Sequence, residues 1–204
     1  MTPEDYREQH KKRLSWMPWL YFSLKEKHLA WAKPWQDEIQ ARLCALETVH
    51  LGANCFIAPE ANLFAEPGRD IRMGDQCMIA AGVFLHGPID IGNEVAINHG
   101  SSLDGGRSGI KIGNRTRIAN QVTIYAFNHG MAPDEPIYQQ KVSSKGIVIG
   151  EDVWIGAQAG IVDGVTIGNQ AVIGMGALIS RDVPDFAIMA GNPAKQIGDR
   201  RDKR

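Results

Sequence analysis

An all-β solenoid is the fold class that the sequence predicts, and three observations predict it. From Leu51 onward an aliphatic residue recurs every six positions: Leu51, Ile57 and Leu63, then Met73, Ile79, Leu85, Ile91, Ile97 and Leu103. The series resumes at Ile112, Ile118 and Ile124, and again at Ile149, Ile155, Ile161, Ile167, Ile173 and Ile179, eighteen positions without a polar exception. Four residues after most of these the side chain is small or β-branched, as at Cys55, Val95, Thr116, Val153 and Ala177. All 22 glycines lie between Gly52 and Gly198, and residues 1–50 contain none. A helix turns every 3.6 residues and a sandwich strand alternates every two, so neither makes this pattern. Very short parallel strands joined by tight corners do. The aliphatic residue points into a narrow core, the small residue packs at the corner, and glycine or asparagine accepts the turn.

The elements follow in order. Residues 1–48 read as a helical cap. Thr2-Pro3-Glu4-Asp5 supplies an N-cap, a proline in the first turn and acids beside it. Pro18 and Pro34 are expected to divide the region into short helices. Trp16, Trp19, Trp31, Trp35, Tyr21 and Phe22 lie here, expected to bury on the body of the protein, with peripheral contact to a membrane or amphiphile as the alternative. Residues 49–184 are the repeat, broken at 64–72, 104–111 and 125–148. Such insertions leave the wall of a solenoid as loops on one face, and the longest, 125–148, carries His129. Residues 185–204 form a C-terminal extension whose charged end, Arg200 to Arg204, is expected to fray.

Composition narrows the function. The net charge of −1 gives no field that would gather nucleic acid or an anionic membrane. The uncharged stretch Leu14–Leu24 has 11 residues against the roughly 20 that span a bilayer. Lys11–Arg13 precede it, but Glu4, Asp5, Glu8 and Pro18 oppose a cleaved leader, and the cytoplasm is the expected compartment. Three cysteines, Cys44, Cys55 and Cys77, form no CxxC pair, which suggests neither a disulfide framework nor a zinc knuckle.

The hexads, the histidine in YAFNHG after Ile124, the VWIG at 153–156 and the AGNPAK at 190–195 resemble hexapeptide-repeat acyltransferases of the maltose/galactoside O-acetyltransferase type. The resemblance covers about residues 50–197 and leaves residues 1–48 unmatched. It implies a left-handed parallel β-helix with a protruding active-site loop. It also implies a homotrimer with active sites between subunits and acetyl-CoA as acyl donor. The catalytic histidine of the family falls on His129 and an acceptor-contacting asparagine on Asn98. Trp154 matches an aromatic bordering the site. The donor positions fall on Gly156, Ala157, Met175, Ser180, Arg181 and Lys195, the last near the nucleotide phosphates. Three departures stand out. Ala157 replaces a serine of some relatives, so an oxyanion contact there needs the backbone N–H. No residue of 1–48 matches an acidic acceptor contact. A second acidic position is Gly106, with Asp104 nearby as the substitute.

The residues themselves fit this chemistry. Moving an acetyl group from a thioester to a hydroxyl requires removal of the hydroxyl proton. An imidazole suits that task near neutral pH, and a placed base contributes roughly 10²- to 10⁴-fold in rate. Asp134 or Glu135 would orient the ring of His129. His86 and His99 read as surface or interface polarity. Asn98 also reads as an ordinary corner residue, and Lys195 as an ordinary solvated lysine. The expected reaction is therefore acetyl-CoA-dependent O-acetylation of a sugar or saccharide hydroxyl, without a metal. N-acetylation of an amino sugar or other small amine is the alternative. A γ-class carbonic anhydrase-like zinc enzyme would need three converging histidines, and the separations of 13 and 30 residues among His86, His99 and His129 do not stack by whole coils. A non-catalytic hexapeptide subunit would lose His129 or the phosphate contacts; this chain keeps both.

Overall fold

The computed structural model describes residues 2–202 and consists of two helices, a parallel β-helix of six coils and a closing hairpin. Helix α1 (Pro3–Trp16) starts in a capping box, with Thr2 Oγ1 accepting the Asp5 N–H and the Asp5 carboxylate accepting that of Thr2. A 3₁₀ turn at Pro18–Ser23 separates it from α2 (Glu26–Leu46). Pro18 therefore breaks the chain as expected, but Pro34 does not. Helix α2 runs through it unbroken. Pro34 and the Ala30 whose carbonyl it leaves unpaired are both exposed, so water can take that carbonyl.

Each coil contributes one strand to each of three parallel sheets. The first sheet contains β1 (Val49–Leu51), β4 (Ile71–Met73), β7 (Ile89–Ile91), β10 (Ile110–Ile112), β13 (Ile147–Ile149) and β16 (Thr166–Ile167). The second contains β2 (Phe56–Ile57), β5 (Met78–Ile79), β8 (Ala96–Ile97), β11 (Arg117–Ile118), β14 (Trp154–Ile155) and β17 (Val172–Ile173). The third contains β3 (Asn62–Phe64), β6 (Phe84–His86), β9 (Ser102–Asp104), β12 (Thr123–Tyr125), β15 (Gly160–Val162) and β18 (Leu178–Ile179). Strands pair in register, so that Ile97 lies between Ile79 and Ile118, and Ile118 lies beneath Ile155. All eighteen register residues are buried except Leu51, which is half-buried on the first coil. Each fully buried aliphatic side chain is worth about 1.5–3 kcal/mol. These hexapeptide repeats fit the left-handed form of the β-helix.

The corners refine the role expected of glycine. Between the first and second sheets, the residue with positive φ is Asn54, Gln76, Glu94, Arg115, Asp152 and Gln170 on successive coils, with φ of 53–60°. The glycine that follows the register residue serves close approach instead. At Gly156 an added Cβ would lie 2.7 Å from Met175 N on the next coil. Aspartate and asparagine then lace the coils. Asp75 Oδ1 accepts the Ala53 N–H at 2.7 Å, Asn93 Oδ1 that of Asp75 at 2.8 Å, and Asn114 Oδ1 that of Asn93 at 2.8 Å. Cys55 and Cys77 are buried at corners, where their thiols donate to the carbonyls of Gly74 and Gly92.

Both ends of the solenoid are covered. Gln36 of α2 is buried; its Oε1 accepts the Ile57 N–H at 2.8 Å and its Nε2 donates to the Ile57 carbonyl at 3.1 Å. Gln40 donates to the Cys55 carbonyl and Glu47 accepts the Ala65 N–H, both at 2.8 Å. These three side chains satisfy backbone groups that no lower coil can reach. Trp31, Trp35, Tyr21 and Leu14 pack with Phe56 on the outer face of the second sheet, whereas Trp16, Trp19 and Phe22 stay exposed. At the other end β19 (Ala187–Ala190) pairs with β17, so coil pairing continues past residue 184, and β20 (Lys195–Asp199) returns antiparallel to it.

The expected fraying of the charged end does not occur as far as Asp202. Arg200 donates to Asp152 Oδ2 at 2.9 Å, and Arg201 grips Asp199 through two hydrogen bonds that lower the Asp199 carboxyl to about 2. Lys203 and Arg204 lie outside the described residues. No helix among the described residues is long and apolar enough to cross a membrane.

Candidate active site

All three sequence insertions leave the solenoid on one edge, where the third sheet passes to the first. The longest, between β12 and β13, is a pinned loop. Asn128 and Ser143 exchange N–H···O bonds at 2.8 Å in both directions. Ser144 Oγ donates to the Ala126 carbonyl at 2.6 Å and accepts the N–H groups of Arg107 and Ser108 at 3.0 and 2.9 Å. Asp163, buried on the next coil, accepts the N–H groups of Lys145 and Gly146 at 2.8–3.0 Å. Gln140 closes the tip by bonding both the N–H and the carbonyl of Ala132.

His129 follows Asn128 directly and stands exposed on this frame. Its ring meets that of Phe127 edge to face, with centroids 6.2 Å apart. Asp134 and Glu135 are exposed and neither bonds the ring among the described residues, so the orienting partner expected from the sequence is not supplied within this chain.

Beside the loop is a cleft of about 470 Å³ lined by Arg69, His86, Asp104, Arg107, Phe127 and Ser144, with residues from all three insertions. Asp104 ends β9. Its Oδ1 accepts the Gly106 N–H at 2.9 Å and its Oδ2 lies 3.0 Å from His86 Nδ1. Gly106 has φ of +56°, and a Cβ there would lie 2.5 Å from the Ala126 carbonyl oxygen, so this backbone admits no acidic side chain at 106. His86, expected at the surface or at a subunit interface with no part in the site, lines this cleft. The signal was available in the spacing: His86 and Asp104 are 18 residues apart, one full coil, and each follows a register leucine, which stacks them in one outward column.

The remaining residues divide between the two edges of the third sheet. Asn98 sits on the opposite edge, where the second sheet passes to the third; its Nδ2 donates to the Ile118 carbonyl at 2.9 Å, and its Oδ1 accepts nothing among the described residues. Beside it the His99 ring packs tilted against that of Trp16, with centroids 5.3 Å apart. Gly156, Ala157 and Met175 lie farther along that edge, with Met175 75% exposed. The Gly156 N–H donates to the Ile173 carbonyl at 2.7 Å, while no backbone carbonyl among the described residues takes that of Ala157. Trp154 projects from the outer face of the second sheet, 57% exposed, between Arg117 and Val172.

Ser180, Arg181 and Lys195 come together. They line a cleft of about 250 Å³ at the C-terminal end of the solenoid, with Pro193 and Ala194. Among the described residues neither Arg181 nor Lys195 has an ion-pair partner, so two cationic side chains face one recess. This donor set fits the phosphates of a nucleotide. Within one chain, then, His129, Asp104, Ser180 and Arg181 share one edge, whereas Asn98, Gly156, Ala157 and Met175 share another. Among the described residues no three histidine, cysteine, aspartate or glutamate side chains are grouped to hold a metal ion.

Residues 146–181 match the bacterial transferase hexapeptide family (six repeats). Over 119 residues the chain is 34% identical to a chloramphenicol acetyltransferase of Agrobacterium fabrum, covering 56% of each protein. Over 160 residues it is 28% identical to a galactoside O-acetyltransferase of Lactococcus lactis, covering 78% of this chain and 66% of that one. The chain spans about half the length of the first of these relatives. Among solved structures, the N-acyltransferase AntD from Bacillus cereus, in complex with dTDP and 3-hydroxybutyryl-CoA, superposes with a TM-score of 0.70 at 26% identity. That match covers 80% of this chain and 89% of AntD. The resemblance to hexapeptide-repeat acetyltransferases read from the sequence thus holds.

Proposed function

We propose that this hexapeptide-repeat chain is an acetyl-CoA-dependent O-acetyltransferase that acts on a hydroxyl of a sugar or saccharide, with His129 as general base. One observation carries the reading: a single edge of the solenoid presents His129 on a loop pinned at its base and, at its C-terminal end, Ser180 and Arg181 of a recess that Lys195 also lines, where neither cation has an ion-pair partner among the described residues. A base and a phosphate-binding recess along one groove are what joining a nucleotide thioester to a hydroxyl requires, because most of the remaining barrier is positional.

His129 takes the hydroxyl proton as the acceptor oxygen attacks the thioester carbon, and that proton leaves with the sulfur when the carbon–sulfur bond breaks. The N–H of Ala157, without an acceptor among the described residues, is the group available to an oxyanion and, lying on the Asn98 edge, comes to His129 from a neighbouring subunit; Lys195 and Arg181 hold the nucleotide phosphates. Asn98 lies on the other edge of the sheet, so it reaches the acceptor at His129 only from a neighbouring subunit. This division supports a homotrimer with three shared sites. Asp104 contacts the acceptor from the same edge as His129, and Trp154 and Met175 border the donor. Residues 1–48 act as a cap to the first coils, and the cytoplasm is the compartment.

A second reading, N-acetylation of an amino sugar, is favoured by the likeness to AntD. Calorimetric titration of the purified protein with acetyl-CoA, beside Lys195→Ala, tests the class. Micromolar binding near one site per chain, weakened in the variant, is expected; no binding overturns both acyltransferase readings. Rates with paired hydroxyl and amine acceptors then separate the two.

A further inference from the structure

The 3₁₀ turn between the two helices presents its residues two ways. Pro18, Tyr21 and Leu24, three apart, lie on the side that meets the second sheet, where Pro18 is buried and the other two pack beside Phe56. Trp19 and Phe22, also three apart, are 51% and 42% exposed. Trp16, a turn earlier, rests against His99 and belongs to that edge.

Cations surround the two exposed rings. Between Lys11 and Lys33 the chain has six lysines and arginines and a single carboxylate, Glu26. Outside this window 16 lysines and arginines stand against 22 acids, so the net charge of −1 conceals a positive segment. The other acids of residues 1–48 fall at its two ends, Glu4, Asp5 and Glu8 before it and Asp37, Glu38 and Glu47 after. Lys11 is paired with Glu8 at 2.8 Å. Lys12, Arg13, Lys25, Lys27 and Lys33 are exposed and have no ion-pair partner among the described residues. Lys33 shares a hollow of about 420 Å³ with Phe22 and Leu29. Lys25 is the N-cap of α2, without a side-chain hydrogen bond, and Lys27 is in its first turn. Both oppose the helix dipole, so helix stability does not account for them.

From this arrangement we infer that the turn is a docking surface for an anionic lipid bilayer. Trp19 and Phe22 enter at headgroup depth, and the cations of α1 and α2 meet the lipid charges. Charge names the occupant. Five unpaired cations around two exposed rings complement a surface that is anionic outside and apolar beneath. The contact is peripheral, since no helix among the described residues is long and apolar enough to cross a membrane. Trp31 and Trp35, packed with Phe56, keep the region on the solenoid. The inference stands apart from the acyltransferase reading, because no residue of the proposed reaction takes part in it.

The test is sedimentation of the full chain with vesicles of phosphatidylcholine alone or with about one-third phosphatidylserine, in about 0.1 M and about 0.5 M salt. The serine-containing vesicles should bind at least about 10-fold more tightly, and the added salt should weaken that binding by a similar factor. Lys25→Glu with Lys27→Glu should weaken it by about 10-fold or more, and so should Trp19→Ser with Phe22→Ser. Ile197→Ser, in the exposed hairpin at the other end of the solenoid, should leave it unchanged. All four substituted positions of the turn are exposed, so melting temperatures should match the wild type. The charge pair, which touches no packing, carries the test if the ring pair does not fold. Equal binding to both vesicles, or to neither, overturns the inference. So do variants of the turn that bind as the wild type does, or an equal loss in Ile197→Ser. Ultracentrifugation without lipid covers the other occupant: a lower oligomeric state in Trp19→Ser with Phe22→Ser would make the turn a contact between copies and overturn the lipid assignment.

Discussion

Ser144 donates its hydroxyl to the Ala126 carbonyl at 2.6 Å and so ties together the two ends of the loop that carries His129. The same oxygen accepts two N–H groups from the neighbouring insertion, at Arg107 and Ser108. One donor and two lone pairs are all that a hydroxyl has, and here all are used. Ser144→Ala leaves two N–H groups without an acceptor and should destabilise the fold by about 1–3 kcal/mol. Hydrogen exchange should quicken in 126–146, and turnover should fall while coenzyme A binding holds. Exchange unchanged in that loop would show that Ser144 does not pin it.

The first coil has no strand beneath it, and Gln36 takes the place of one. Its amide meets both the N–H and the carbonyl of Ile57. Gln36→Leu keeps the bulk and removes both partners, leaving a buried donor and acceptor unpaired at about 1–3 kcal/mol each. The denaturant midpoint should drop accordingly with an unchanged slope. A midpoint equal to that of the wild type would mean that water reaches Ile57.

The solenoid was legible because its core repeats: one aliphatic residue per hexad, confirmed by the burial of Ile57 through Ile179, is a signal that eighteen positions average. Corner chemistry was less so. Glycine follows the register residue for close approach at Gly156, while the left-handed residue two places later is Gln158, a type that no propensity marks for φ of 60°. Pro34 misled because a local rule for helix breaking was overridden by packing of α2 on the first coil. The His86–Asp104 pair was hidden for another reason. It joins residues one coil apart, so it is invisible to local motifs and visible only once the coil length of 18 is applied to polar residues as well as apolar ones.

His10 gives the helical region a pH dependence. Burial depresses its pKa, with the neighbouring charges of His28 and Arg13 acting the same way, and its Nδ1 is buried without a partner among the described residues. Its ring packs on His28 at 5.1 Å and Trp31 at 5.7 Å. A histidine whose folded pKa lies below the unfolded value binds fewer protons when folded. Stability from it is therefore complete above the ordinary 6.5 and declines as pH falls below that value. Melting temperatures measured on either side of pH 6.5 should show a fall that His10→Phe reduces. An equal fall in both proteins would assign the acid sensitivity elsewhere.

His129 stands exposed with no hydrogen bond to its ring among the described residues, and only Phe127 touches its edge. A structural histidine on a corner would be held by its neighbours, and its removal would be felt in stability. His129 is held instead by its backbone, through the Asn128–Ser143 bridge next to it. His129→Ala should therefore leave the melting temperature and coenzyme A binding as they are, while kcat falls by roughly 10²- to 10⁴-fold, the worth of a placed base. The two observables separate the roles. A large loss of kcat with intact stability fits proton removal by this imidazole. A variant that turns over as fast as the wild type would overturn that role and pass it to His86, whose imidazole lines the cleft beside the loop.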